Sequence, residues 1–170
     1  IIGGADGASC ILGAKLAGQE PSGTVPHALI LTAGDTLKVA EAYHEIMPPE
    51  APRTMLVDTF HDEAEETLRI AEELGADLDG IRLDTPSERG GVTPELLAEV
   101  KARLSQAGQD HINIFVSGGL MPESIKELKA AGADGFGVGS YISSASAVNM
   151  TMDIKEVAGE PVAKRGRVPG

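Results

Sequence analysis

Short apolar runs rich in β-formers alternate with amphipathic helical segments along most of this chain, and that rhythm restricts its architecture more than any other feature. Residues 27–31, 54–57, 80–83, 112–116 and 136–138 read as five strands. Helices are expected between them. The first runs from about Thr36 to Met47 and stops at Pro48-Pro49. The next starts at Asp62, whose carboxylate can cap free N–H groups while Glu65 sits three residues on; Leu68, Ala71 and Leu74 form its inward stripe and Gly75 ends it. Thr93 caps a third helix with Pro94 at its first position, with Leu97, Val100 and Leu104 inward and Gly108 at its end. Pro122 opens a fourth, with Ile125 and Leu128 on one face and Gly132 closing it.

One βα unit therefore recurs every roughly 25–30 residues. Parallel strands with helical crossovers build a doubly wound sheet or a (β/α) barrel. Two neighbouring glycine-rich loops follow the last two strands, where barrels commonly hold a phosphate, and this favours the barrel. Five strands cannot close an eight-stranded barrel, so part of it is expected upstream of Ile1. The rhythm breaks after residue 148. Residues 152–157 and 161–165 read as a hairpin turning at Gly159-Glu160, which divides the chain into a partial (β/α) barrel over 1–148 and strands leaving it over 149–170.

Composition narrows the partners. An apolar share of 42% supports a core, and with 3% aromatics and no Trp that core rests on Ala, Val, Ile and Leu. A net charge of −12 argues against a nucleic-acid or anionic-membrane surface but leaves room for an anion held by backbone N–H groups. Cys10, the single cysteine, excludes an internal disulfide and reads as a small core residue in an Ala/Ile/Leu-rich helix. With no long apolar run and no signal-peptide pattern, a cytoplasmic protein is expected.

Ser117-Gly118-Gly119 and Gly137-Val138-Gly139-Ser140 are the first candidate site, because glycine lets backbone approach an anion closely. A dinucleotide fingerprint fails, since Ile142 stands where its third glycine belongs. Asp58 and Asp84 end successive strands and should point into one mouth. There they could bind ribose hydroxyls, hold Mg²⁺ through a pyrophosphate, or stabilise a cationic sugar; the alternative is that each caps a turn. Arg82 alternates with Leu83 and would face the barrel interior, paired with Asp84 or a phosphate. A lone histidine such as His27 is more often structural than catalytic, and His44, His61 and His111 read as solvated or structural. The acidic start of the second helix, Asp62-Glu63-Ala64-Glu65-Glu66, reads as a solvated face favoured by the helix dipole.

Taken in order, these segments resemble the nicotinate phosphoribosyltransferase family. Gly7-Ala8-Ser9 through Lys15-Leu16-Ala17-Gly18 and Gly23-Thr24-Val25-Pro26-His27-Ala28 are similar to its helix and GT-x-x-H segment. Val57-Asp58-Thr59-Phe60 and Ile81-Arg82-Leu83-Asp84-Thr85-Pro86-Ser87 resemble its VDT and RLD strand ends, the latter in the LDTPS form of one prokaryotic branch. Val116-Ser117-Gly118-Gly119-Leu120, Gly137-Val138-Gly139 and Pro161-Val162-Ala163-Lys164-Arg165 complete the series. The resemblance implies an α/β fold: an irregular (β/α) barrel of the type II phosphoribosyltransferase kind, incomplete in this chain, with a C-terminal β-hairpin leading to a flanking sandwich domain, usually as a homodimer.

It implies transfer of phosphoribosyl from 5-phosphoribosyl 1-pyrophosphate to nicotinate in NAD biosynthesis, giving nicotinate mononucleotide and pyrophosphate with Mg²⁺ present and ATP as co-substrate. By motif position His27 would be phosphorylated by ATP. Asp58, Arg82 and Asp84 would hold the ribose and Mg²⁺-pyrophosphate. Ser117, Gly118, Gly119, Gly137 and Gly139 would cradle the 5′-phosphate, with Thr24 and Ser140 alongside. The arginine near the nicotinate carboxylate would lie upstream of Ile1, so these 170 residues alone should bind phosphoribosyl groups but turn over poorly. The competing readings are quinolinate phosphoribosyltransferase, which would want more basic residues, an isomerase or aldolase acting on a sugar phosphate, and an inactive barrel serving as a binding or dimerisation module. The aldolase lacks a strand lysine for a Schiff base.

Overall fold

The computed structural model describes residues 3–169. Four parallel strands, β1 (Thr54–Leu56), β2 (Gly80–Leu83), β3 (Asn113–Ser117) and β4 (Gly135–Gly137), form one sheet in sequential order. The helices are α1 (Ile11–Leu16), α2 (His27–Ala33), α3 (Thr36–Ile46), α4 (Glu63–Leu74), α5 (Pro94–Gln106), α6 (Pro122–Ala130) and the short α7 (Ser140–Ser143). Helices α4, α5 and α6 are the crossovers between consecutive strands, as expected for βα units.

The sheet has two unlike faces because side chains alternate along a strand. Met55, Val57, Ile81, Leu83, Ile114 and Val116 are buried and form one core with Ile70, Ala71, Leu97, Val100, Leu104 and Leu128 of the helices. The pairings Leu56↔Arg82, Arg82↔Phe115 and Phe115↔Gly135 lay a second, more polar face across all four strands. Phe115 lies on that face between two glycines. A Cβ on Gly135 would stand 2.5 Å from its ring and one on Gly80 3.1 Å, so both positions stay bare to admit the aromatic side chain.

The predicted caps are present. Asp62 accepts from Ala64 N–H and Glu65 N–H, and Thr93 Oγ1 accepts from Leu96 N–H ahead of Pro94. Leu97, Val100 and Leu104 face inward.

Several expectations fail. The run over 27–31 is the start of α2, not a strand: Pro26 leads into good helix formers and Gly34 closes the helix in the left-handed conformation at φ 76°. The α4 stripe rotates to Ala64, Thr67, Ile70, Ala71 and Leu74, with Leu68 only partly buried. Its acidic start is not a solvated face, since Glu63 and Glu66 are each 1% exposed. Arg69 explains Glu66 by donating to both its oxygens at 3.0 and 2.9 Å. Cys10 is exposed at the start of α1 and takes no part in the core. The tail does form an antiparallel hairpin, shortened to β5 (Glu156–Val157) and β6 (Glu160–Pro161).

Candidate functional site at the strand ends

The polar face of the sheet runs out at the C-terminal end of its strands, where Asp58, Asp84, Ser117 and Gly137 follow or finish β1 to β4. Those ends are where α/β folds place their ligands. His27, the first residue of α2, enters between the two acids. Its Nε2–H donates to both oxygens of Asp58, at 3.2 Å each, and its Nδ1 lies 3.9 Å from Asp84 Oδ2. A carboxylate only accepts, so this contact assigns the Nε2–H tautomer or the doubly protonated ring. The structure thus places His27, which the resemblance gives as the residue phosphorylated by ATP, beside both acids.

Arg82 lies on the same face as Asp84, two residues earlier. It donates to Thr24 Oγ1 at 2.7 Å, and its second terminal nitrogen is 4.0 Å from Asp84 Oδ2. Asp84 in turn packs beneath the first glycine loop: a Cβ on Gly118 would stand 2.5 Å from Asp84 Oδ1, and Gly118 has φ 88°. The second loop meets the first, since a Cβ on Gly137 would lie 3.2 Å from the Ser117 side chain. Thr24, His27, Asp58, Arg82, Asp84, Ser117, Gly118 and Gly137 are therefore one connected group. Gly119, Gly139 and Ser140 share the two loops and are exposed, and Ser140 also opens α7, its carbonyl accepting from the Ser144 hydroxyl at 2.6 Å.

Electrostatics and unmet hydrogen bonds both mark this rim. Burial pushes the Asp58 carboxyl above its ordinary 3.8, against the opposing pull of His27 and with a smaller push from Asp84. Thr59 Oγ1, Arg82 Nε and Ser117 Oγ are buried without a hydrogen-bond partner. Such orphans cost stability unless something else satisfies them. Among the described residues no group of three or more His, Cys, Asp or Glu side chains could cage a metal. Asp58 and Asp84 suit Mg²⁺ only as partial ligands to an ion brought in on phosphates, the usual manner for that cation.

A polar cavity of about 410 Å³ opens at the opposite end of the sheet, lined by His44, Glu45, Arg53, Asp77 and Asp79 among others. Its acids repel phosphate, and the terminal nitrogens of Arg53 are already occupied by backbone carbonyls. It is a poor rival for an anionic ligand.

Two groups escaped the sequence reading. Thr59 was quoted within a motif but given no role. Glu63 was placed on a solvated face, although it is buried against Thr85 beside Asp84. No periodicity signal marks either one.

Comparisons with known proteins place the chain in a family. Residues 1–153 match the family model described as quinolinate phosphoribosyl transferase, C-terminal domain. The chain is 32% identical over 147 residues to nicotinate phosphoribosyltransferase pncB2 of Mycobacterium tuberculosis, covering 83% of this chain and 30% of that protein. With pncB1 of the same organism it shares 34% over 115 residues, covering 66% of this chain and 24% of the relative. A crystal structure of nicotinate-nucleotide pyrophosphorylase from Pyrococcus furiosus superimposes with a TM-score of 0.84 at 48% identity, covering 99% of this chain and 43% of that one. The chain thus spans less than half the length of each of these proteins. No helix among the described residues is long and apolar enough to cross a membrane. On this match, the chain belongs to the quinolinate phosphoribosyl transferase C-terminal domain family, within the type II phosphoribosyltransferases.

Proposed function

We propose that this chain is the phosphoribosyl-handling part of a nicotinate phosphoribosyltransferase. The observation that carries the reading is His27 held between Asp58 and Asp84, with Arg82 beside them and Gly118 closed over Asp84. In the reaction the nicotinate ring nitrogen forms a bond to C1′ while the C1′–O bond to pyrophosphate breaks, and pyrophosphate leaves with the electron pair. The ribose gains positive charge as the bond lengthens, so fixed carboxylates at the rim stabilise it without a protein nucleophile. Asp58 and Asp84 supply that charge and accept from ribose hydroxyls. Arg82 Nε and Ser117 Oγ, orphaned in the free chain, donate to phosphate oxygens. The bare turns at Gly118-Gly119 and Gly137-Val138-Gly139, with Ser140, let backbone N–H groups reach the 5′-phosphate. Thr24 holds Arg82 in place.

Mg²⁺ bound to the pyrophosphate would neutralise leaving-group charge near Asp58 and Asp84. His27, 37% exposed at its side chain and tied to Asp58 through Nε2, is the residue that would accept phosphoryl from ATP. Sequential strand order and crossover helices support an arc of a (β/α) barrel; a flanking domain, a homodimer and a cytoplasmic location belong to the same proposal by family resemblance alone.

The pncB relatives favour nicotinate as the base, whereas the family model's description names quinolinate. Arg82 is given to phosphate in this reading, so the preference for nicotinate rests on the pncB relatives. The test is an assay of the protein with 5-phosphoribosyl 1-pyrophosphate and either base, followed by mononucleotide chromatography. Product from nicotinate at a kcat/KM at least about tenfold above that from quinolinate supports the proposal. The reverse order would transfer the assignment to quinolinate.

A further inference from the structure

Glu63 is the first residue of α4, and its carboxylate is buried rather than presented to water. Oε1 accepts from Thr85 Oγ1 at 2.7 Å. Oε2 has no hydrogen-bond partner, and the nearest cation, Arg89 of the same loop as Thr85, stands 3.7 Å away. An apolar side chain of similar size would fill that space at less cost than a half-satisfied carboxylate. The contact joins the two loops that bear the rim acids. Glu63 follows β1 and Asp58, while Thr85 immediately follows Asp84. Asp84 turns its carboxylate toward His27 and Gly118, and Thr85 buries its hydroxyl against α4.

We propose that Glu63 is a positioning residue for the rim, pinning the Asp84–Thr85 peptide from behind and so setting where the Asp84 carboxylate stands relative to His27. This deepens the phosphoribosyl-transfer reading and rests on it for its functional consequence. The geometric part stands apart, because Thr85 and Asp84 link Glu63 to His27 whether or not a ligand is bound. Ring-nitrogen NMR of His27, thermal unfolding and calorimetric binding of Mg²⁺-5-phosphoribosyl 1-pyrophosphate, applied to the same chain and its variants, test it.

Glu63→Leu leaves the buried Thr85 hydroxyl without an acceptor and is expected to melt a few degrees below the parent chain, to move the His27 ring resonances, and to bind the ligand about tenfold more weakly. Glu63→Gln keeps an acceptor for Thr85 and should bind within about twofold of the parent. Thr85→Val reads the same contact from the other side and should move the same resonances, which keeps the claim testable if the leucine variant does not fold. Unmoved His27 resonances in a folded Glu63→Leu or Thr85→Val chain overturn the proposal, as does a glutamine variant as impaired as the leucine one. If the parent chain binds no ligand, the transferase reading falls, and the resonances still decide the positioning role.

Discussion

The two ends of the same four strands are built from similar residues and put to opposite uses. At the N-terminal end the polar groups are spent on the backbone. Arg53, 5% exposed, donates through its terminal nitrogens to the carbonyls of His44, Met47, Pro48, Pro49 and Ala51 and so closes the end of α3. Asp79 accepts from Arg53 N–H at 2.7 Å, and Asp134 from Ile114 N–H at 2.8 Å. At the C-terminal end the acids meet His27 and Arg82, both able to engage a ligand. An acid that satisfies backbone N–H groups is architecture. One that shares a histidine and lies under a bare glycine is available for chemistry.

The contrast breaks hardest at Arg53. Arg53→Ala strips a donor from five carbonyls, and urea unfolding should show a loss of about 3 kcal/mol or more. The folded fraction should bind phosphoribosyl pyrophosphate unchanged. At the rim the order reverses: Asp84→Asn should leave the melting temperature within a few degrees yet weaken that ligand about 100-fold, measured by calorimetry. Gly118→Ala combines the two effects. Its φ of 88° disfavours a side chain by about 1–2 kcal/mol, and the added Cβ would displace Asp84. A tenfold affinity loss, about 1.4 kcal/mol, is expected beside a measurable drop in stability.

The smallest effect separates a helix-capping acid from a rim acid by sign. The Arg69 guanidinium, bonded to Asp35 at 2.6 Å, holds that carboxyl below its ordinary 3.8. Its stabilisation is present above about pH 4 and lost as pH falls through the lower folded-state value. Burial holds Asp58 above 3.8, so its contribution is fullest below that pH and is lost as pH rises through the higher folded-state value. Asp35→Asn should therefore lower stability at neutral pH relative to acid, and Asp58→Asn should raise it, each by no more than about 1 kcal/mol in pH-resolved unfolding.

Much of this division was legible before any coordinates. Period-two alternation places Arg82 and Asp84 on one face, and an acid at the end of each of two consecutive parallel strands predicts convergence at one rim. Caps at Asp62 and Thr93-Pro94 were equally readable, because their chemistry is local. What failed depends on tertiary packing. An apolar run of five residues over 27–31 suits strand and helix alike, and only Pro26 and Gly34 decide in favour of α2. Glu63 and Glu66 look like surface charge until Thr85 and Arg69 close over them. Local composition holds no record of a partner 22 residues away.

A crystal structure with bound 5-phosphoribosyl 1-pyrophosphate addresses the central claim most directly. The 5′-phosphate should rest on the turns at Ser117-Gly118-Gly119 and Gly137-Val138-Gly139, with the ribose against Asp58 and Asp84. Ligand seated instead in the cavity beside Arg53 and Asp79, or a ribose turned away from both rim acids, would contradict it.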